Sequence, residues 1–205
     1  MERRYNHRLL PGIEFRQDES GGTTITGMGA VFYEQGERGT EFELWPGVVE
    51  RIMPGAFSGS MDRGDDVRGL FNHDPSAILG RTSSGTMRLE QGAAGLRYSI
   101  DMPDTQVGRD VLESVKRGDL SGSSFSFLVA NEEWKKDGDI EVREITGVEL
   151  FDTGPVTFPA YVATNVQARS KLIDIATVQA YNDWRQTTGR NRINRAKLRA
   201  LLLRA

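Results

Sequence analysis

The sequence predicts a β-rich α+β fold that ends in a helical segment, and three patterns indicate it. Up to about residue 165, apolar residues fall in short segments that alternate at period two and end at glycine or proline. One amphipathic helix interrupts these segments after Pro103. Beyond about residue 165 the apolar spacing becomes helical. Strands and helices in this order are typical of the α+β class.

Most of the predicted elements before residue 165 are strands. Glycines at both ends of residues 92–95 predict the turn of a β-hairpin, and Asp137-Gly138 predicts a second tight turn. The predicted strands comprise residues 24–33, 42–45, 48–52, 67–71, 86–90, 96–101, 124–129, 133–135, 140–142, 148–151 and 155–158.

The single helix in this part of the chain has clear start and stop signals. Thr105 is an N-cap residue, and Val107, Val111 and Val115 lie four positions apart on one face. Gly118 ends the helix, because glycine is the usual residue just past a helix C-terminus.

We expect three regions along the chain. Residues 1–22 form a polar leader, residues 23–168 form the folded domain, and residues 169–205 form a basic helical tail. From Arg185 onwards there are seven basic residues and no acidic one, although the net charge of the whole chain is −3. Such a tail binds an anionic partner or the acidic body of a second copy, or it is a solvated helical face.

The composition excludes several kinds of chemistry. The chain of 205 residues has no cysteine and two histidines, His7 and His73. Disulfides, thiolate metal sites and thiol nucleophiles are therefore excluded, and we predict no metal and no other cofactor. No apolar run is long enough to cross a bilayer, and no apolar segment of a secretory signal follows Arg3, Arg4 and Arg8. Neither a membrane partner nor secretion is expected.

His73 is the only histidine outside the predicted leader, so any imidazole base must be this residue. It follows the apolar segment 67–71, and a ring at the end of a buried strand would be half buried and fixed in orientation. A general base requires both properties. The alternative is a surface-turn histidine, because the run NHDP (residues 72–75) is typical of turns.

Residues 118–127 (GDLSGSSFSF) combine small residues with an alternating strand. Ser124 and Ser126 are predicted to face one way, and Phe125 and Phe127 are predicted to face the core. A hydroxyl held in place by core-facing phenylalanines suits a nucleophile. The alternative is an ordinary Ser/Gly loop.

Asp152 ends the apolar strand at residues 148–151 and is placed to orient an imidazole, the third role in a serine triad. By alternation, Leu150 and Asp152 share one face of the strand, whereas Glu149 and Phe151 share the other. The alternative is a cap or turn aspartate.

These three segments stand in a longer ordered pattern. Its parts are residues 29–33 (GAVFY), 52–57 (IMPGAF), 72–74 (NHD) with 79–82 (LGRT), 105–110 (TQVGRD), 117–125 (RGDLSGSSF) and 155–161 (PVTFPAY). In this order and spacing they resemble the prohead (capsid-maturation) serine proteases of tailed bacteriophages, a family related to herpesvirus assemblin. The resemblance covers about residues 24–165 and rests on the joint pattern.

The resemblance implies an assemblin-like β-barrel with flanking helices, and a Ser-His dyad completed by a third polar residue. By position it implies His73 as the general base, Ser124 as the nucleophile and Asp152 as the third member. The family often has glycine two residues after the nucleophile, and glutamate as the third member. This chain has Ser126 at the first place, so Ser126 is a competing nucleophile. Ser121 and Ser123 precede the strand and are weaker candidates.

The resemblance also implies a serine endopeptidase that acts in the host cytoplasm, inside the immature capsid (prohead). The implied substrate is the scaffolding region of the major capsid protein, and self-cleavage is expected. The tail from about residue 170 is expected to be a targeting or assembly helix that is open to trimming. A homodimer stays open, and sustained nucleic-acid binding is not expected because the body is acidic.

Two other function classes stay open. A non-catalytic head-assembly protein with the same fold would show the same sequence pattern without a productive Ser–His geometry. A hydrolase of small esters is disfavoured, because the chain has no Gly-x-Ser-x-Gly segment.

Overall fold

The structure is a computed structural model, which describes residues 12–19, 21–159 and 175–187. These residues form strands, two helices among the strands and one helix near the C-terminus. In chain order they are β1 (Glu14–Gln17), β2 (Thr23–Val31), β3 (Glu41–Trp45), β4 (Val48–Ile52), α1 (Ser58–Asp62), β5 (Arg68–Leu70), β6 (Ile78–Arg81), β7 (Met87–Gln91), β8 (Gly95–Asp101), α2 (Gln106–Arg117), β9 (Gly122–Asp137), β10 (Ile140–Val156) and α3 (Ile175–Thr187).

The first sheet is antiparallel and has the strand order β1-β2-β8-β7. Leu96, Tyr98 and Ile100 of β8 are fully buried at period two, so one face of this sheet covers the core. The hairpin of β7 and β8 confirms the strands and turn that the sequence predicts in this region.

The second sheet is built around β10, a strand of 17 residues. Strand β9 pairs antiparallel with β10 along its whole length, and the turn at Asp137-Gly138 joins the two strands as predicted. The other edge of β10 pairs in parallel with β4 near its start and with β5 near its end. Strands β3 and β6 extend the sheet beside β4 and β5. One long strand therefore connects all parts of this sheet.

The main core lies between the two sheets and under α2. Ile25 and Ile100 from the first sheet pack with Phe125 and Ile145 from the second in one apolar cluster. Helix α2 adds residues of its valine face to this cluster.

The helix ends of α2 are those that the sequence predicts. The Thr105 side chain accepts a hydrogen bond from the Gly108 backbone at 3.2 Å, which caps the first turn. Gly118 has a left-handed backbone with φ of 78°, which closes the last turn at no steric cost.

Helix α3 packs on a second, smaller apolar cluster. Tyr181 is 1% exposed, and its ring lies edge-on to Trp45 at a centroid distance of 5.0 Å. Trp134 of β9 lies 5.1 Å from the same ring. The hydroxyl of Tyr181 also donates a hydrogen bond to Glu141 at the start of β10. These contacts attach α3 to the second sheet.

The predicted β-rich α+β class is confirmed, but the closed barrel expected from the resemblance is not. Within the described ranges, backbone hydrogen bonds define two separate sheets. The strand predicted at residues 148–151 and the first two residues of the one predicted at 155–158 are parts of the single strand β10, which ends at Val156. Helix α1 and strands β1 and β6 were not predicted from the sequence. None of the described helices is both long and apolar enough to cross a membrane.

The predicted region boundaries are only partly within the described residues. Strand β1 lies inside the stretch that we expected to be a leader, and its four residues are all exposed, so no apolar period marks it. Helix α3 lies where helical spacing is predicted. The remaining predicted tail, residues 169–174 and 188–205, and His7 lie outside the described residues.

Candidate active site

His73 lies in the turn between β5 and β6. Asn72 and His73 both have left-handed backbones, with φ of 54° and 58°, a conformation that Asn and His adopt more readily than most L-residues. Asp74 accepts hydrogen bonds from the hydroxyl and the backbone N–H of Ser76 at 2.6 and 2.8 Å, and these bonds hold the pKa of Asp74 below its ordinary value. The backbone of His73 is therefore that of a turn residue, stabilised by its neighbours.

The ring of His73 contacts Asp152. Nδ1 of His73 and Oδ1 of Asp152 lie 2.5 Å apart, and the Asp152 side chain is only 9% exposed. A carboxylate oxygen accepts hydrogen bonds but cannot donate them, so in a neutral His73 ring Nδ1 carries the hydrogen and Nε2 keeps its lone pair. An imidazole in this tautomer can remove a proton through Nε2.

A β-bulge in β10 determines where Asp152 points. Leu150 lies opposite Phe127 of β9, but Asp152 lies opposite Ser126, so Phe151 is the extra residue of the bulge. Phe127 and Ser126 are consecutive and point to opposite faces. The prediction that Leu150 and Asp152 share a face is therefore wrong, because the bulge shifts the alternation by one residue. Leu150 stays in the core, and Asp152 turns to the opposite face.

The two candidate serines lie on the face of the sheet to which Asp152 points. Ser126 is opposite Asp152, and Ser124, two residues earlier on β9, is opposite Gly154, two residues later on β10. Phe125 between them is 3% exposed and belongs to the core, as predicted.

The other two serines of this segment are placed differently. The Ser123 hydroxyl lies 2.8 Å from the buried Tyr98 hydroxyl, on the core side of β9. Ser121 precedes the strand and is exposed. Neither residue is near Asp152 in the strand register.

The structure brings His73 and Asp152 into contact, and it places Ser124 and Ser126 on the neighbouring strand. The hydrogen bonds of the described residues include the His73–Asp152 bond and a bond from the Thr153 hydroxyl to the Ser124 carbonyl. They do not include one between His73 and Ser124.

Arg68 is opposite Asp152 on β5, but its guanidinium is bound elsewhere. Its Nη1 donates to the Asp66 carbonyl at 2.8 Å, and its Nη2 lies 3.2 Å from the Asp66 carboxylate. Asp66 also accepts hydrogen bonds from Arg81. The hydrogen bonds from Arg81 are the chief reason that the pKa of Asp66 lies far below its ordinary value. Asp66 therefore stays ionised and retains Arg68, which leaves the carboxylate of Asp152 to the imidazole.

Sequence reasoning missed two residues that support the site. Asn72 and Thr157 exchange hydrogen bonds: Thr157 N–H donates to Asn72 Oδ1 at 2.8 Å, and Asn72 Nδ2 donates to Thr157 Oγ1 at 3.2 Å. The tolerance of asparagine for left-handed backbone is a signal that could have directed attention to Asn72. The partner Thr157 has no comparable local signal.

Gly154 is also part of the support. A Cβ atom at this position would lie 2.3 Å from the Leu70 carbonyl oxygen, so only glycine lets β5 approach β10 this closely. The turn that carries His73 begins directly after this approach.

No metal centre is indicated in the described ranges. In residues 12–19, 21–159 and 175–187, no group of three or more His, Asp or Glu side chains is arranged to hold a metal ion.

An imidazole bound to a buried carboxylate, beside a strand that presents serines, is the arrangement found in serine hydrolases. Residues 12–179 match the family described as caudovirus prohead serine protease. The match covers well over half of the 205 residues and includes His73, Ser124 and Asp152. The chain belongs to this family, and it is a serine protease of phage capsid maturation.

Among solved structures, the capsid assembly protease gp21 of bacteriophage T4 has a TM-score of 0.42 and 11% identity to this chain, over 74% of this chain and 99% of that one. A search of curated protein sequences finds no significant match.

Proposed function

We propose that this protein is the endopeptidase that cleaves the scaffolding region of the major capsid protein, and also itself, inside the prohead in the host cytoplasm. In this proposal Ser124 is the nucleophile, His73 the general base and Asp152 the residue that orients the imidazole. The observation that carries the proposal is the His73–Asp152 hydrogen bond beside the serine face of β9.

The proposed reaction follows the serine protease scheme. The Ser124 hydroxyl attacks the scissile carbonyl while Nε2 of His73 takes its proton, and the carbonyl oxygen becomes an oxyanion. The C–N bond then breaks, and His73 gives the proton to the leaving amine. Water, deprotonated in turn by His73, releases the acyl group and restores Ser124. Asp152 keeps the hydrogen on Nδ1 and stabilises the imidazolium ion that forms transiently.

The spacing of the strands favours Ser124 over Ser126. In a triad the hydroxyl lies roughly 7 Å from the carboxylate, because the imidazole and two hydrogen bonds separate them. Directly opposed residues such as Ser126 and Asp152 have Cβ atoms about 5 Å apart, whereas diagonal neighbours such as Ser124 and Asp152 are up to about 7–8 Å apart and come closer to this separation.

The direction from which the imidazole arrives favours the same serine. The His73 turn is attached at Pro155 of β10 and at Thr157 just past the end of this strand, both beyond Gly154, so the ring reaches Asp152 from the side of Ser124. The strand spacing and the position of the His73 turn both support Ser124 as the residue that faces Nε2.

Co-expression with the capsid protein tests the proposal. The parent chain is compared with Ser124→Ala, Ser126→Ala and His73→Ala, and Ser121→Ala is the matched control because Ser121 is exposed and precedes the strand. We expect the capsid protein to shorten with the parent, with Ser126→Ala and with Ser121→Ala only. Processing that survives in both Ser124→Ala and His73→Ala would contradict the enzyme proposal and favour a non-catalytic role in head assembly. Loss in Ser126→Ala alone would move the nucleophile to Ser126.

We also propose that residues 23–168 form the protease domain and that the basic C-terminal tail recruits the enzyme to the capsid or its scaffold. Deletion of residues 188–205 tests the second idea, since it removes basic residues but keeps α3 and its contacts with Trp45 and Trp134. We expect the shortened protein to cleave the substrate in solution but to be packaged poorly into proheads. Normal packaging would remove the recruitment role.

A further inference from the structure

The turn at Asn72 and His73 is unusual within the described part of the chain. These two are its only non-glycine residues with positive φ, and they are consecutive. A left-handed backbone is unfavourable for an L-residue with a Cβ atom. Two such residues in succession persist only where the surrounding structure holds them.

The strand register explains why the chain must bend at this point. In the parallel pair of β5 and β10, Arg68 lies opposite Asp152 and Gly69 opposite Thr153. A straight continuation would place His73 beside Thr157, which is about 16 Å beyond Asp152 at the rise of a strand. The imidazole would not reach the carboxylate from there. The left-handed pair turns the chain back, so that the ring meets Asp152.

Asn72 attaches this turn to the strand that carries Asp152. Its backbone N–H donates to the Pro155 carbonyl at 3.0 Å, and its side chain both donates to and accepts from Thr157. The His73 side chain is still 35% exposed, so packing alone restricts it little. The hydrogen bonds of Asn72 attach the turn that carries this ring to the end of β10.

We propose that Asn72 is a positioning residue for catalysis, which holds the left-handed turn against the end of β10 and thereby aims the His73 imidazole at Asp152. This inference rests on the proposed function, because it assigns Asn72 a part in the same reaction. Asn72 acts through His73 and makes no contact with the substrate in this account.

Three substitutions separate the backbone requirement from the side-chain hydrogen bonds. Asn72→Gly keeps the freedom to adopt positive φ but removes both side-chain bonds. Asn72→Asp keeps an acceptor for the Thr157 N–H and tolerates the left-handed backbone, and the Thr157 hydroxyl can donate to it. The matched control is Asn131→Gly, the same change at an exposed site opposite Gly147 of β10.

Two measurements are made on the full-length chain. The first is kcat and KM for cleavage of the capsid scaffolding region. We expect Asn72→Gly to lower kcat by about tenfold to a hundredfold with little change in KM, because small misplacements of a catalytic group cost this much. Asn72→Asp should restore kcat to within about threefold, and Asn131→Gly should retain it.

The second measurement is the NMR signal of the His73 ring. A hydrogen on Nδ1 in a short bond to a carboxylate gives a strongly deshielded resonance. The chain has only two histidines, so a His7→Gln variant assigns the signal. We expect this resonance in the parent, in Asn72→Asp and in Asn131→Gly, and its loss in Asn72→Gly.

The outcomes distinguish the inference from the proposed function. Unchanged kcat and an unchanged ring signal in Asn72→Gly would overturn the positioning role. An equal loss of kcat in Asn131→Gly would also overturn it, because general destabilisation would then explain the effect. If the parent does not cleave at all, the proposed function fails, and the ring signal alone decides whether Asn72 positions His73.

Discussion

His73 and Asp152 are 79 positions apart in the sequence, yet Nδ1 of one and Oδ1 of the other lie 2.5 Å apart. The three-residue strand β5 brings them together, because it pairs with β10 at Asp152 and then turns sharply at Asn72 and His73. The bulge at Phe151 completes the arrangement by turning Asp152 out of the core. The candidate site therefore depends on one short parallel pairing and one irregularity of a long strand.

Replacing the carboxylate of Asp152 should impair cleavage without unfolding the protein. In Asp152→Asn the amide can donate to Nδ1, which favours the tautomer with hydrogen on Nε2 and leaves no base for Ser124. We expect kcat to fall by about 10²–10⁴-fold, measured with the capsid scaffolding region as substrate. Asp74→Asn is the control, because Asp74 binds Ser76 in the same turn. Equal losses in both variants would contradict the assigned role of Asp152.

Adding one methyl group at Gly154 should disturb both stability and activity. The new Cβ would lie 2.3 Å from the Leu70 carbonyl oxygen, so β5 must shift and carry the His73 turn with it. For Gly154→Ala we expect a loss of about 1–3 kcal/mol in the free energy of unfolding, measured by denaturant titration, and a clear loss of cleavage. Gly92→Ala is the control, since a Cβ there meets nothing within 4 Å. A stable and active Gly154→Ala protein would show that β5 does not need this close approach.

The contact of α3 with the second sheet can be followed by tryptophan fluorescence. All three tryptophans of the chain, Trp45, Trp134 and Trp184, lie in the apolar cluster around Tyr181. Truncation of a buried aromatic residue costs about 3–5 kcal/mol. We expect Tyr181→Ala to change the emission strongly, because it removes the ring against which these tryptophans pack.

Cleavage should survive this change, since the cluster and the candidate site lie at opposite ends of β10. Glu141, which binds Tyr181, is about 36 Å from Asp152 along an extended strand. The control is Asp183→Ala, at an exposed position of the same helix. An unchanged emission in Tyr181→Ala would mean that α3 does not occupy this surface in solution.

Stability should decrease at alkaline pH through Tyr98. This side chain is fully buried, its hydroxyl lies 2.8 Å from that of Ser123, and burial raises the pKa of Tyr98 well above its ordinary value. In the unfolded chain the phenol ionises at about pH 10, whereas the folded chain keeps the proton. The free energy of unfolding should therefore fall as pH rises above about 10.

Denaturant titrations of the parent and of Tyr98→Phe between about pH 8 and 11 check this expectation. The variant should be less stable at pH 8, because the hydroxyl of Ser123 loses its partner, but its stability should vary less above about pH 10. The same slope in both proteins would mean that Tyr98 does not cause the alkaline loss.

The features that local sequence predicts well are those with a local physical cause. Thr105 and Gly118 mark the ends of α2, and Asp137-Gly138 marks the turn between β9 and β10, because cap and turn residues act within a few positions. The core-facing position of Phe125 follows from strand alternation in the same way.

The features that sequence reasoning missed depend on pairing between distant segments. The bulge at Phe151 exists only relative to β9, so alternation along β10 alone placed Asp152 on the wrong face. The one apolar residue of strand β1, Phe15, is exposed, so no buried face marks this strand, and backbone pairing with β2 holds it. The partnership of Asn72 with Thr157 likewise follows from the register of β5 on β10, which no local pattern reveals.

The identity of the nucleophile tests the central claim most directly. The full-length protein is treated with a fluorophosphonate, which forms a covalent adduct with an activated serine, and peptide mass spectrometry locates the adduct. We expect an adduct on Ser124 in the parent and in Ser126→Ala, and none in His73→Ala. An adduct on Ser126 in the parent, or labelling of Ser124 that persists without His73, would contradict this assignment of the nucleophile and its base.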